Sequence, residues 1–246
     1  MLYNKYRPHR FADIIGQEAV TTALINQVRR RETGQAYLFA GPSGTGKTTT
    51  ARVLALAVNC ESPRAGEPCL KCQACQASLH GNAWDTIEFD AALFRGIDGI
   101  RDLSSWARFA PIGNYKVYII DETQGLTQPA WDALLRLLEE PNGRITTVLC
   151  TTKPETVPET ARSRCQVFQF QPLTKKDILI KLELIARRER LSLSADSLKF
   201  ISAMAGGNMR RAETMLEQVI HLDGGKPSYR QIQKFIQGQL NLTVGG

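Results

Sequence analysis

The segment 41–49 has the residue types of a phosphate-binding loop. It reads Gly41-Pro42-Ser43-Gly44-Thr45-Gly46-Lys47-Thr48-Thr49. Glycines at three of these positions let the backbone curl until successive N–H groups face inward and form a cradle for an anion. In such a loop the lysine reaches the β- and γ-phosphates of a nucleotide, and the next hydroxyl ligates Mg²⁺. We therefore predict nucleotide binding by this segment, a catalytic role for Lys47 and a magnesium contact for Thr48.

Two acidic residues at the end of a predicted strand complete the expected magnesium site. The apolar run 115–120 is typical of a strand that is buried on both faces, and Asp121-Glu122 follows it directly. Because ligands bind at the carboxyl ends of parallel strands, we expect Asp121 to hold Mg²⁺ through water. Glu122 is expected to take a proton from the attacking water. An ordinary acidic strand end is the alternative, which the upstream phosphate loop disfavours.

Four of the six cysteines lie within residues 60–75, in the order Cys60-x8-Cys69-x2-Cys72-x2-Cys75. Thiolates at CxxC spacing can turn onto one tetrahedral Zn²⁺, and four of them close the site, so that no position is left for chemistry. We therefore predict a structural zinc site. Free or disulfide-bonded cysteines and an iron–sulfur cluster are the alternatives, and His80 is a further ligand that the site does not need.

Composition favours a folded protein and is compatible with an anionic partner. Hydrophobic residues make up 43% of the 246 positions, which is enough for one large α/β domain and a small second one. The formal net charge of +7 suits nucleic acid, although ordinary solubility explains it equally well. The first residues contain no apolar targeting segment, and no run approaches the ~20 apolar residues that span a bilayer. We expect a cytoplasmic protein without membrane contact.

The order of predicted elements indicates an α/β fold with a parallel sheet, followed by an all-helical region. Strand patterns lie at 37–40, 85–90, 115–120, 145–150 and 166–170. Helical patterns lie at 18–31, 49–57, 99–109, 128–140, 175–190, 195–205, 208–222 and 229–239. We predict a nucleotide-binding core over 1–171 with the zinc module 60–75 inserted, a helical lid domain over 172–222, and a linker over 223–246 that begins a missing C-terminal region.

Together these features resemble the AAA+ ATPases, and more narrowly the clamp-loader motor family of bacterial DNA polymerase III gamma/tau. The resemblance covers nearly the whole chain. Phosphate loops and acidic strand ends are widespread, but the combination of Ser163-Arg164-Cys165 with the cysteine insertion is much narrower. The other motifs that carry it are Tyr6-Arg7-Pro8, Gly16-Gln17-Glu18, Val117–Glu122, Ala133–Pro141, Thr151-Thr152 and Gly206–Ala212.

The resemblance implies roles that the residues alone do not supply. Arg164 would be an arginine finger that reaches ATP bound in a neighbouring subunit. Thr152 would be the first sensor of the γ-phosphate, and Arg210 the second sensor, which acts on the nucleotide of its own subunit. A surface or salt-bridging arginine is the alternative for Arg164 and Arg210. The residues expected to border the adenine are Tyr6, Arg7, Pro8, Ile15 and Gly16.

The function that the resemblance implies is an ATP-driven motor that uses ATP, Mg²⁺ and Zn²⁺. Its partners would be other clamp-loader subunits, a sliding clamp and primed DNA, which is held through its phosphates without sequence specificity. Arg95 and Arg101 are candidate DNA contacts, with a solvated helix face as the alternative. Other readings are a different AAA+ replication factor and a nucleotide-binding assembly subunit without turnover, and the intact Lys47, Thr48 and acidic pair argue against the latter.

Two positions depart from the family pattern. The acidic strand end usually continues as Asp-Glu-x-His, whereas this chain has Gln124 in the last position. The second strand usually runs into Asp-Ala-Ala-Ser, and Leu93 replaces that serine. The proposed metal ligand and base are kept, so we expect the first change to affect how DNA binding is coupled to hydrolysis.

Overall fold

The computed structural model describes residues 1–93, 100, 109–139, 144–222 and 227–244, with the side chains of 239–244 left out. Two compact units form within the chain. The larger, an α/β unit, comprises residues 8–42 and 46–171. The smaller, a helical unit, comprises residues 1–7, 43–45 and 172–246, so the tip of the phosphate loop is grouped with the C-terminal helices.

The α/β unit is built on a five-stranded sheet in which every pair of neighbouring strands is parallel. The order is β2-β3-β4-β1-β5, so the two edge strands are β2 and β5. The three central strands are buried apart from the last residue of β3, as expected where helices cover both faces. The strands are β1 (Ala36–Ala40), β2 (Thr86–Asp90), β3 (Lys116–Asp121), β4 (Ile145–Thr151) and β5 (Gln166–Gln169).

Alternation along the strands sends side chains into two separate cores. Tyr37 and Phe39 of β1 pack in one core, whereas Leu38 between them packs in the other. Helices α2 (Glu18–Arg30) and α3 (Lys47–Val58) fill the first core, and α5 (Gln128–Glu139) fills the second. Two short helices, α4 (Gln73–Leu79) and α6 (Glu159–Arg162), complete this unit as far as it is described.

The helical unit has its own apolar core. Side chains from its N-terminal segment, such as Leu2, pack there with Ile178, Leu182 and Leu216. Side-chain caps define three helix starts, because Thr174, Ser194 and Asn208 each accept a hydrogen bond from a backbone N–H three residues later. The helices are α1 (Leu2–Lys5), α7 (Lys175–Arg188), α8 (Ala195–Met204), α9 (Met209–Ile220) and α10 (Tyr229–Val244).

The α/β class and the parallel sheet predicted from the sequence are confirmed. Strand ends differ from the prediction by one residue at most. Helix α3 begins at Lys47, two residues earlier than predicted, and α4 inside the cysteine segment was not predicted. The helix predicted at 99–109 falls mostly outside the described residues. In the part of the chain that the structure describes, no helix has both the length and the hydropathy that a membrane span needs.

Candidate nucleotide and metal sites

The predicted phosphate loop occupies the turn between β1 and α3. Gly41 has φ +150°, and a Cβ there would lie 2.4 Å from the carbonyl oxygen of Phe170, so only glycine fits. Gly46 is left-handed at φ +103° and precedes the first residue of α3. The backbone thus turns directly into a helix N-terminus, where N–H groups without intrahelical partners favour an anion.

Lys47 is anchored over this loop. Its side chain is only 6% exposed, and its ammonium donates to the carbonyl oxygens of Gly41 at 2.8 Å and Pro42 at 2.9 Å. An ammonium held by loop carbonyls places positive charge beside the anion cradle. The charge-stabilising role of Lys47 toward a nucleotide stays a prediction.

Thr48 and Asp121 meet although 72 residues separate them in the chain. The Thr48 hydroxyl donates to a carboxylate oxygen of Asp121 at 2.7 Å, and the other carboxylate oxygen accepts from the backbone N–H of Glu122 at 3.0 Å. Burial raises the pKa of Asp121, and these two hydrogen bonds oppose that effect. A hydroxyl and a carboxylate side by side are hard oxygen donors, which fit Mg²⁺.

Glu122 has an unusual backbone. Its φ of 51° and ψ of 45° place a non-glycine residue in the left-handed region, immediately before a 3₁₀ turn over Thr123–Gly125. Such conformations cost about 1–3 kcal/mol and cluster at functional sites. The amide of Gln124 then contacts the Glu122 carboxylate on one side and Thr151 and Thr152 on the other. We call residues 41–42, 46–48, 121–124 and 151–152, which all belong to the α/β unit, the phosphate edge.

The four clustered cysteines converge on one point. Their sulfur atoms all lie within 4.8 Å of one another, with Cys60 and Cys75 buried and Cys69 and Cys72 partly exposed. In a tetrahedral zinc site with bonds of about 2.3 Å, sulfur atoms lie about 3.8 Å apart, so this donor set fits Zn²⁺. Residues 60–75, called the cysteine module below, therefore have both the ligand types and the spacing of a structural zinc site.

Backbone hydrogen bonds favour the thiolate form at one corner of the module. The N–H groups of Lys71 and Cys72 donate to the Cys69 sulfur at 3.4 and 3.3 Å, and they lower the pKa of Cys69 to about 6. Burial instead raises the pKa of Cys60 and of Cys75. Metal ions bind the thiolate form of cysteine, so the lowered pKa of Cys69 favours metal binding at this sulfur.

The two arginines with predicted roles lie in different units. Arg164 lies in the α/β unit, where its guanidinium binds the Glu139 carboxylate at 2.7 Å and the Thr160 carbonyl at 2.5 Å. Arg210 lies at the start of α9 in the helical unit, 5.8 Å above the ring of Tyr3. Neither contact tests the role of finger or second sensor, so both roles remain predictions.

The residues predicted to border adenine are divided between the units. Tyr6 and Arg7 belong to the helical unit, where the Tyr6 hydroxyl donates to Glu189 at 2.5 Å. Pro8, Ile15 and Gly16 belong to the α/β unit. The candidate DNA contacts Arg95 and Arg101 lie outside the described residues.

The sequence does not predict two sets of contacts that the structure shows. One is at the phosphate edge, where Gln124, a departure from the family pattern, is hydrogen-bonded to Glu122 and the threonine pair. The other is the pair formed by Arg164 and Glu139, which lies in a predicted amphipathic helix. A polar residue two positions after a predicted catalytic acid was the available signal for Gln124, whereas no sequence signal pointed to Glu139.

The fold and the phosphate edge define a AAA+ P-loop ATPase architecture. The solved RuvB Holliday junction branch migration motor of Thermotoga maritima has the same fold, with a TM-score of 0.71 over 94% of this chain and 72% of that chain, at 18% identity. A family model described as DNA polymerase III, delta subunit, matches residues 16–174. The chain belongs to this DNA polymerase III clamp-loader family, and the relatives below connect it with gamma/tau subunits.

Two of three curated relatives are tau subunits of DNA polymerase III, and all three are much longer than this chain. DNA polymerase III subunit tau of Bacillus subtilis is 44% identical over 224 residues, which are 91% of this chain and 40% of that protein. The Escherichia coli tau subunit is 37% identical over 96% of this chain and 37% of its own length. Protein STICHEL of Arabidopsis thaliana is 40% identical over 87% of this chain and 18% of its own length. The chain thus spans two fifths or less of these relatives.

Proposed function

We propose that this chain is the ATP-driven motor subunit of a DNA polymerase clamp loader. It binds and hydrolyses ATP within a hetero-oligomer and thereby loads a sliding clamp onto primed DNA. The observation that carries the proposal is the 2.7 Å hydrogen bond between Thr48 and Asp121, because it unites the phosphate loop with the acidic strand end. The tau relatives support the assignment to replication.

The chain's own side chains supply charge and position rather than covalent chemistry. Lys47 binds the β- and γ-phosphates, Thr152 donates its hydroxyl to the γ-phosphate, and Glu122 accepts a proton from the attacking water. Thr48 and Asp121 would hold Mg²⁺, whose charge would offset the negative charge that develops on the phosphates. Arg164 of one subunit stabilises the same charge at its neighbour's nucleotide, and Arg210 responds to the nucleotide of its own subunit.

The proposal also includes binding to DNA and binding of zinc by the cysteine module. The net charge of +7 is compatible with binding to DNA through phosphates, and affinity for primed DNA is expected to fall steeply with salt. Zn²⁺ held by the four cysteines is structural, because four protein ligands leave no open coordination position. Its contribution is to hold a segment whose apolar cluster is small.

ATP hydrolysis by the assembled complex tests this function. The full chain is combined with its companion subunits, clamp and primed DNA in Mg²⁺, and phosphate release is measured with and without DNA and clamp. Turnover that DNA and clamp stimulate, and that Lys47→Ala reduces by at least about 10³-fold, is the expected result. Tight nucleotide binding without turnover under every condition would instead identify a passive nucleotide-binding subunit.

A further inference from the structure

The side-chain amide of Gln124 has all four of its hydrogen-bonding positions occupied. A glutamine amide carries two N–H donors and an oxygen with two lone pairs. Here the nitrogen donates to a carboxylate oxygen of Glu122 and, at 3.0 Å, to the Thr152 hydroxyl. The oxygen accepts from the Thr151 hydroxyl at 2.9 Å and from the Thr152 backbone N–H at 3.4 Å. All of these groups belong to the α/β unit.

This pattern fixes the orientation of the amide. If the amide were rotated by 180°, its oxygen would face the Glu122 carboxylate, which is also an acceptor. Its nitrogen would face the backbone N–H of Thr152, which is also a donor. Each reversed contact would exchange an attraction for a repulsion. One orientation is therefore strongly favoured, and Gln124 joins the end of β3 to the end of β4 through a defined set of contacts.

The contacts also orient the groups that the proposed hydrolysis needs. The left-handed backbone of Glu122 directs its side chain, and the Gln124 amide fixes the carboxylate at the far end. Because the Thr152 oxygen accepts the amide N–H, the hydroxyl proton of Thr152 points elsewhere and is available to a phosphate oxygen. A single side chain thereby sets the spacing between the predicted base and the predicted γ-phosphate sensor.

We infer that Gln124 is a positioning residue for ATP hydrolysis, which holds the Glu122 carboxylate and the Thr152 hydroxyl in register with the γ-phosphate. The inference rests on the proposed ATPase function. It assigns Gln124 no contact with the nucleotide itself. Its loss therefore lowers kcat through Glu122 and Thr152 and leaves nucleotide affinity nearly unchanged, which distinguishes it from a residue that binds ATP.

The kinetic test uses the full chain in its complex, with ATP and Mg²⁺. Gln124→Leu shortens the side chain by one atom and removes all four hydrogen bonds. We expect kcat to fall about 10- to 100-fold with KM for ATP within about twofold, since misplacement of a catalytic group by 1 Å costs about that much. Gln124→His retains one donor and one acceptor and should stay within about fivefold of the unchanged protein. Gln128→Leu, in an exposed glutamine whose amide donates to Asp132, is the matched control and should change neither parameter.

A double-mutant cycle separates positioning from general damage. If Gln124 acts through Glu122 and Thr152, adding Gln124→Leu to a chain that already carries Glu122→Ala and Thr152→Ala should slow single-turnover hydrolysis by less than about twofold more. Multiplied effects of Gln124→Leu and of that double variant, or a loss that appears in KM alone, would overturn the inference. Gln124→Glu, which keeps the shape but removes both donors, replaces the leucine variant if that variant does not fold, and the same fall in kcat is expected.

An NMR measurement tests the hydrogen bond between Gln124 and Glu122 even if the chain does not hydrolyse ATP. The side-chain NH₂ signals of Gln124 are assigned by their disappearance in Gln124→Glu, in protein without nucleotide. They should exchange with solvent at least about tenfold more slowly than those of Gln128 and should shift in Glu122→Ala. Signals that exchange with solvent as fast as those of Gln128, and that do not shift in Glu122→Ala, would refute this hydrogen bond. If the complex shows no ATP turnover but these NH₂ signals exchange slowly, only the motor function is refuted.

Discussion

The phosphate edge and the cysteine module bring their ligands together in different ways. The module draws its four sulfurs from residues 60–75, where two CxxC spacings and one eight-residue connection bring them within 4.8 Å. The phosphate edge draws on residues between 41 and 152, which meet because β1, β3 and β4 are parallel and end at the same side of the sheet. A local site can be predicted from spacing, whereas a site of this second kind depends on the topology.

The two regions also differ in what their polar groups contact. At the phosphate edge, Thr48, Asp121, Glu122 and Gln124 are hydrogen-bonded to one another's side chains or backbone. In the module, the sulfurs instead accept backbone N–H groups, such as that of Cys69 on the Cys60 sulfur at 3.2 Å. Substitutions of these edge side chains should therefore change ligand binding or catalytic rates mainly, and substitutions of the module cysteines should change metal content and stability.

Removal of the predicted finger should give the largest change. Complexes that mix Arg164→Ala chains with unchanged ones should lose about 10³-fold in turnover at sites that face a substituted neighbour, because an arginine finger contributes that much. The substituted chain should still bind ATP. Arg162→Ala, two residues away, is the control, since its guanidinium binds the Pro154 carbonyl within its own chain. Turnover in the mixtures that matches the unmixed protein would contradict the finger role.

Loss of a module cysteine should reduce metal content and stability together. The unchanged protein should contain about one zinc per chain, and Cys72→Ser should contain close to none. We expect a loss of at least about 2 kcal/mol in unfolding free energy, or roughly 4–8 °C in the midpoint. Elemental analysis and thermal unfolding measure both quantities, with Cys165→Ser as the control outside the cluster. Purified protein that is active and free of zinc would exclude the structural metal.

Two glycines, Gly41 at the phosphate edge and Gly81 just beyond the cysteine module, separate the effect of crowding from that of backbone conformation. Gly41→Ala at the phosphate edge would bring a Cβ to 2.4 Å from the Phe170 carbonyl oxygen, and we expect a cost of about 3 kcal/mol with loss of ATP binding. Gly81 follows the helix that carries Cys75, with φ +75° and open space around its Cα. Gly81→Ala should cost only about 1 kcal/mol. Urea unfolding of both variants checks the difference, and equal losses would show that crowding at Gly41 is unimportant.

The sequence predicted the elements better than the contacts. Apolar runs located the strands, because a strand buried on both faces needs them, and the glycines and Lys47 located the phosphate loop. The contacts of Gln124 were not predictable, since they depend on the left-handed backbone at Glu122 and on β4 lying beside β3. The pairing of Arg164 with Glu139 likewise joins positions that no local pattern relates.

The central claim is that the phosphate loop and Asp121 bind ATP together with Mg²⁺, and calorimetric titration of the chain with ATP tests it most directly. In Mg²⁺ the unchanged chain should bind ATP, and Lys47→Ala should weaken binding about 100-fold. Asp121→Asn should remove most of the difference between titrations in Mg²⁺ and in a chelator, because it removes a carboxylate from the magnesium site. Equal ATP affinity in the unchanged and Lys47→Ala chains, with or without Mg²⁺, would contradict the account.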